Sequence, residues 1–194
     1  MADSEKNIRA FLAIEPPEDI LRKISGLQEK LKREISSRIN WTRPHGQHLT
    51  LKFFGEISTE DVKNICAAVQ KYTASEAYLN LKIEKLGVFP DIRRPRVLWF
   101  DVMGDVERLS VLQKKMDGDF AKLGFPMEDR PFRAHLTLAR IKDVHGLAGI
   151  SEALTKHSSF TAGEFVCREL ILFQSNLSGQ GAIYTKLEMF SFSS

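Results

Sequence analysis

The sequence predicts an α+β fold in which two antiparallel sheets face a central cleft, with helices packed outside. Three observations predict it. RPHGQHLTL (residues 43–51) and RPFRAHLTL (residues 130–138) carry Arg-Pro, three residues and His-Leu-Thr-Leu at the same spacing, offset by 87 residues. Strand, helix, HLTL strand, helix and further strands then follow one another once in each half, as an internal duplication requires. Finally, no linker, low-complexity tract or composition shift separates the halves, so residues 1–194 read as a single domain of two pseudo-symmetric lobes.

The elements follow in order. IRAFLAIE (residues 8–15) alternates as a strand and Pro16-Pro17 stops it. Ile20, Ile24, Leu27, Leu31 and Ile35 then recur at helical spacing among Lys, Arg and Glu. HLTLKFFG is a strand ended by Gly55. Ser58 and Thr59, with Glu60-Asp61, open a second helix that buries Val62, Ile65, Val69 and Tyr72 and ends near Ser75. YLNLKIEKLGVF and RVLWFDVM are strands around the Pro-rich turn PDIRRP. Gly104-Asp105 opens a long helix with a Leu109, Leu112, Met116, Phe120, Leu123 stripe, which Gly124 ends. After the loop FPMEDRPFRA come the strand HLTLARIK, a shorter helix in GLAGISEALTKH, and a closing pair of strands, EFVCRELILF and AIYTKLEMF, around SNLSGQG.

Composition sets limits. At 43% hydrophobic the chain can bury a sizeable core. A net charge of +3 tolerates an anionic ligand but falls far short of a dedicated duplex-DNA binder. Cys66 and Cys167 suggest neither a metal pair nor a disulfide framework and read as core thiols of a reducing compartment. With no basic n-region, no apolar run near membrane-span length and no long apolar stripe left over, the expectation is a cytoplasmic monomer without membrane association.

Strand alternation turns the repeat into chemistry. His48, Thr50 and Lys52 fall on one face and Leu49, Leu51 and Phe53 on the other; His135, Thr137 and Ala139 oppose Leu136 and Leu138. Each copy thus buries leucines and displays an imidazole beside a hydroxyl. Two imidazoles across a shared cleft are the minimal set for general acid–base catalysis near neutrality. Threonine hydroxyls and guanidinium groups would hold a substrate with spare oxygens, such as a phosphodiester. Arg130 and Arg133 are suited to that role, and Lys52 would add charge on the first copy's displayed face. Arg43 reads as a loop-turn residue, and His45, His145 and His157 as loop or helix-surface residues without a comparable partner. Neither motif offers a second metal ligand, and no Walker-type loop is present, so no metal or cofactor is expected.

The pair HLTLKFFG and HLTLAR resembles the two H-x-T-x motifs of the 2H phosphoesterase superfamily, especially the bacterial and archaeal RNA 2′,3′-cyclic phosphodiesterases, also called 2′-5′ RNA ligases. IRAFLAIEPP, GVFP with PRVLWFDV, RPFRAHLTLAR and LILFQSNLSGQGAIYTKL resemble the family's other recurrent stretches in order. Ala134 departs from the family's usual proline. The resemblance implies a bilobal fold and metal-independent hydrolysis of RNA 2′,3′-cyclic phosphate ends, or of small cyclic nucleotides, to a 2′-phosphate. It implies that His48 is the proton donor to the departing 3′ oxygen and His135 the base for water, and that Thr50 and Thr137 hold the non-bridging oxygens. A phosphate role follows for Arg130 and, by extension, Arg133. In reverse the same site would join RNA through a 2′-5′ linkage without ATP. The alternative is a non-catalytic nucleotide or RNA-end binding module of the same fold.

Overall fold

The computed structural model describes residues 7–144, 147–178 and 181–193. In chain order it contains β1 (Ile8–Ile14), α1 (Glu18–Glu34), β2 (Ile39–Trp41), β3 (Leu49–Ile57), α2 (Thr59–Thr73), β4 (Leu79–Phe89) and β5 (Val97–Gly104). There follow α3 (Val106–Lys122), β6 (His135–Ile141), α4 (Ile150–Lys156), β7 (Thr161–Cys167), β8 (Glu169–Ser178) and β9 (Gly181–Ser191). A 3-10 turn, Pro44–Gly46, leads into β3.

Two antiparallel sheets result, as the sequence predicts. One has the order β3-β1-β8-β9 and the other β2-β6-β5-β4-β7. Each draws strands from both halves of the chain, so the sheets do not coincide with the sequence halves. The split inside EFVCRELILF was not predicted: Arg168 divides it, β7 pairing with β4 in one sheet and β8 with β1 in the other. The three-residue edge strand β2 also carries too little pattern to be read from sequence.

The helices bury the stripes their spacing requires. Ile20, Ile24, Leu27 and Leu31 of α1 are buried, with Glu18-Asp19 in its first turn and Lys32-Arg33 in its last, both favourable to the helix dipole. In α2 the Ser58 hydroxyl accepts from the Asp61 N–H while the Asp61 carboxylate accepts from the Ser58 N–H, a reciprocal cap. Leu109, Leu112, Met116 and Phe120 of α3 are buried. Leu123 is not, correcting the predicted stripe: it caps the helix, and Gly124 follows with φ +94°. Leu12, Phe100, Phe120 and Leu172 join one continuous core between sheets and helices. No described helix is long and apolar enough to cross a membrane.

Candidate active site

Both HLTL strands bulge at the same motif position. On β1, Leu12 and Ala13 are adjacent, yet their partners on β3 are Lys52 and Thr50, leaving Leu51 as an extra residue. On β5, Leu98 and Trp99 pair with Ala139 and Thr137 of β6, leaving Leu138 extra. A bulge resets the two-residue alternation. The sequence pattern therefore holds up to Thr50 and Thr137 and fails beyond them. Buried glutamines meet both bulges: the Gln113 side-chain amide on α3 donates to the Leu51 carbonyl at 3.3 Å. The Gln28 amide on α1 donates to the Thr42 carbonyl at 2.7 Å and approaches that of Leu138 at 3.5 Å.

Three predicted positions change as a result. Lys52 leaves the displayed face and is buried, its Nζ 2.6 Å from Asp117 Oδ1, 2.5 Å from the Pro126 carbonyl and 3.7 Å from Glu128 Oε1. Ala139 is likewise buried. Phe53, predicted to be buried, is 44% exposed, and the Arg9 guanidinium lies 4.7 Å from its ring centre. Arg140 takes the equivalent exposed place on β6. Sequence reasoning missed Phe53 and Arg140 because an extra residue in a strand leaves no mark on alternation.

His48 and His135 are held in parallel ways. His135 Nδ1 is 2.7 Å from the Arg133 carbonyl oxygen, two residues earlier. A carbonyl only accepts, so Nδ1 carries the proton and, in the neutral ring, Nε2 carries the lone pair. His48 bonds the backbone of Gly46, also two residues earlier, an interaction that favours its protonated form. Burial outweighs it and pushes His48 down to about 4. The burial comes from aromatic rings: Phe11 stacks on the imidazole at 4.5 Å, Tyr184 meets it edge-on at 5.2 Å, and Phe173 lies at 6.1 Å. Around His135, Phe89 stands perpendicular at 5.2 Å and Trp99 at 6.5 Å. Phe89 and Trp99 stack at 4.7 Å, and the Arg133 guanidinium covers both, 4.9 and 4.6 Å from their ring centres.

A cleft of about 810 Å³ joins the two motifs. Its walls include Thr50 from the first copy and His135 from the second, together with Arg130, Arg133 and Arg96. His48 and Thr137 do not line it: His48 immediately precedes β3 and sits among Phe11, Phe173 and Tyr184, while Thr137 follows His135 by two residues on the same face of β6. Arg140 and Arg9 reach the neighbourhood of Tyr184. Burial pushes its hydroxyl upward in pKa while these two cations pull it down. The second motif strand thus brings positive charge to the aromatic wall of the first histidine.

The remaining candidates lie elsewhere. Arg43 precedes the 3-10 turn and its carbonyl accepts from the Gly46 N–H at 2.8 Å. His157 caps the C-terminus of α4, at the helix surface as expected, and its Nε2 is 2.8 Å from Glu34 Oε2, tying α4 to α1. His145 lies outside the described residues. Burial pushes the Cys167 thiol up to about 12, in keeping with a core thiol, and both cysteines are free. Among the described residues, no group of three His, Cys, Asp or Glu side chains is placed to hold a metal ion.

Known proteins resemble this chain in sequence and in fold. The family described as LigT like Phosphoesterase matches residues 14–99 and 102–184. An RNA 2′,3′-cyclic phosphodiesterase of Aquifex aeolicus is 31% identical over 188 residues, covering 95% of this chain and 97% of its own. One of the same name from Methanothermobacter thermautotrophicus is 32% identical over 183 residues, covering 94% and 98%. The crystal structure of TT0787 of Thermus thermophilus superposes with a TM-score of 0.78 at 26% identity, covering 95% of this chain and 98% of that one. The matched segments contain both histidines, both threonines, Arg130 and Arg133. By sequence and fold alike, the chain belongs to the LigT-like phosphoesterase family.

Proposed function

We propose that this protein hydrolyses the 2′,3′-cyclic phosphate at RNA ends to a 2′-phosphate by two-histidine acid–base catalysis, without a metal. The observation that carries the reading is the cleft shared by Thr50 of one motif and His135 of the other. The curated relatives' common activity supports the choice of substrate.

His135 Nε2 removes a proton from water as the water oxygen bonds to phosphorus. The phosphorus–O3′ bond breaks, and His48 delivers a proton to O3′, leaving a 3′-hydroxyl and a 2′-phosphate. Thr50 and Thr137 donate to the non-bridging oxygens, and Arg130 and Arg133 balance the charge that grows there. His48 must be protonated to act as donor, yet burial, outweighing the Gly46 backbone bond, holds it down at about 4. The phosphodiester anion supplies the missing bias, because a negative charge at hydrogen-bond distance favours the imidazolium. With an RNA 5′-hydroxyl in place of water as the nucleophile, the same steps in the same direction would form a 2′-5′ linkage, O5′ bonding to phosphorus as the phosphorus–O3′ bond breaks.

The test is turnover of an oligoribonucleotide ending in a 2′,3′-cyclic phosphate, with product identified as 2′- or 3′-phosphate, by the native protein and by His48→Ala and His135→Ala. Each substitution is expected to lower kcat/KM by about 10²–10⁴-fold, and EDTA to leave turnover unchanged. Full activity in both variants refutes the acid–base assignment. Tight binding without any turnover by the native protein would establish a binding module instead.

A further inference from the structure

We propose that Arg93 and Arg94, on the turn between β4 and β5, bind phosphates of the nucleotides 5′ to the reacting end. The site would then be built for an RNA strand and not for a free cyclic mononucleotide. This rests on the function proposed above and adds a binding surface outside the reacting centre.

The turn springs from the cleft itself. Phe89 and Pro90 at its start and Arg96 and Val97 at its end all line the cavity. Its backbone is pinned: the Arg96 N–H donates to the Phe89 carbonyl at 2.6 Å, and Asp91 Oδ1 accepts from the N–H groups of Arg93 and Arg94 at 2.7 and 3.2 Å. The turn's only carboxylate is thereby engaged by backbone donors. Both arginine side chains are exposed, and neither has a carboxylate within 4 Å among the described residues. Arg22 and Arg108, on the helices outside the sheets, do pair with acids, Glu18 and Glu76. Glu128, the acid on the cleft wall, lies 3.7 Å from Lys52.

Charge bookkeeping then favours a strand. A cyclic phosphate carries one negative charge, which Arg130, Arg133 and an imidazolium already answer. Two further exposed guanidinium groups, on a turn whose two ends line that cleft, exceed what the single charge of a mononucleotide can engage. RNA ending in a cyclic phosphate continues only from its 5′ side, and every added nucleotide brings one phosphate. The chain's net charge is only +3, so this concentration of arginine is local and not the expression of a generally basic protein.

The experiment compares kcat/KM for a cyclic mononucleotide and for a pentanucleotide ending in a 2′,3′-cyclic phosphate, across a salt series. It uses the native protein, Arg93→Ala/Arg94→Ala and the charge-keeping Arg93→Lys/Arg94→Lys. The alanine pair is expected to lose about 10-fold or more on the pentanucleotide at low salt while staying within about 2-fold on the mononucleotide. Its slope of log kcat/KM against log salt should be shallower by about 1.4, at about 0.7 per single-strand phosphate contact. The lysine pair should keep most of the slope. Equal losses on both substrates, or none on either, overturn the proposal. Affinity for the same pentanucleotide ending in a 2′-phosphate is measured in parallel. If the native protein turns over neither cyclic substrate, the proposed activity fails, while a loss of affinity confined to the alanine pair still supports the surface and an unchanged affinity removes it.

Discussion

The Gln113 amide donates to the carbonyl of Leu51, one of the two residues, with Phe54, by which β3 exceeds its partner β1. A helix side chain therefore supports the irregularity that ends the displayed run of the first motif immediately after Thr50. Replacing Gln113 with leucine leaves a buried carbonyl without this donor, at an expected cost of about 1–3 kcal/mol. Urea unfolding measures that cost. Since Thr50 adjoins the bulge, kcat/KM should fall as well; a variant with native stability would show that strand pairing alone holds the bulge.

Lys52 and Asp117 form an ion pair buried under the cleft floor, and Asp117 Oδ2 also accepts from the Glu128 N–H at 3.0 Å. Asp117→Ala strands a buried ammonium and should destabilise the protein by about 3–5 kcal/mol. Lys52→Met with Asp117→Leu should recover most of that loss and retain turnover. A Lys52→Met protein of native stability but without activity would instead place the ammonium on the phosphate.

The depressed His48 pKa has a defined sign. The folded protein binds this proton less readily than the unfolded chain, whose histidine titrates near 6.5, so stability is complete above about pH 6.5. It falls as the pH drops toward about 4, where the penalty levels off. The difference is at most about 3 kcal/mol. Denaturation midpoints between pH 4 and 7 should show this slope, and His48→Gln should flatten it. By the same linkage, an inorganic phosphate or nucleotide anion in the cleft should take up protons at neutral pH, visible as buffer-dependent binding heats; heats independent of buffer would contradict the donor role.

Trp99 lies flat over Gly87, where an added Cβ would meet the indole at 2.3 Å. Gly87→Val should displace the indole from its stack with Phe89 and from the Arg133 guanidinium, moving both away from His135. Expected results are a changed tryptophan emission spectrum and a rise in KM of several-fold. Native emission and kinetics would show that the stack does not position Arg133.

Much of this architecture is visible in the residues. The helical stripes of α1 and α3, the Ser58 cap and the facing of His48 with Thr50 follow from periodicities of three to four and of two. What was hidden depends on partners far along the chain. The extra residues Leu51 and Leu138 are fixed by pairing with β1 and β5 and met by helical glutamines, none adjacent in sequence. Glu34, which engages His157, is likewise 123 residues away. The change of sheet at Arg168 falls inside an unbroken strand-like run, so only the competition between two sheets reveals it.

The rings that enclose His48 come from three distant stretches. Phe11 belongs to β1, whereas Phe173 and Tyr184 belong to β8 and β9, more than 120 residues after the histidine they surround. During synthesis, β3 can pair with β1 early, but β8 must leave the ribosome before it can zip along β1 and bury that imidazole. Until then His48 remains an ordinary hydrated histidine. A nascent chain would carry the complete pair of motifs well before it carried the aromatic enclosure of His48, so that enclosure matures among the last events of folding.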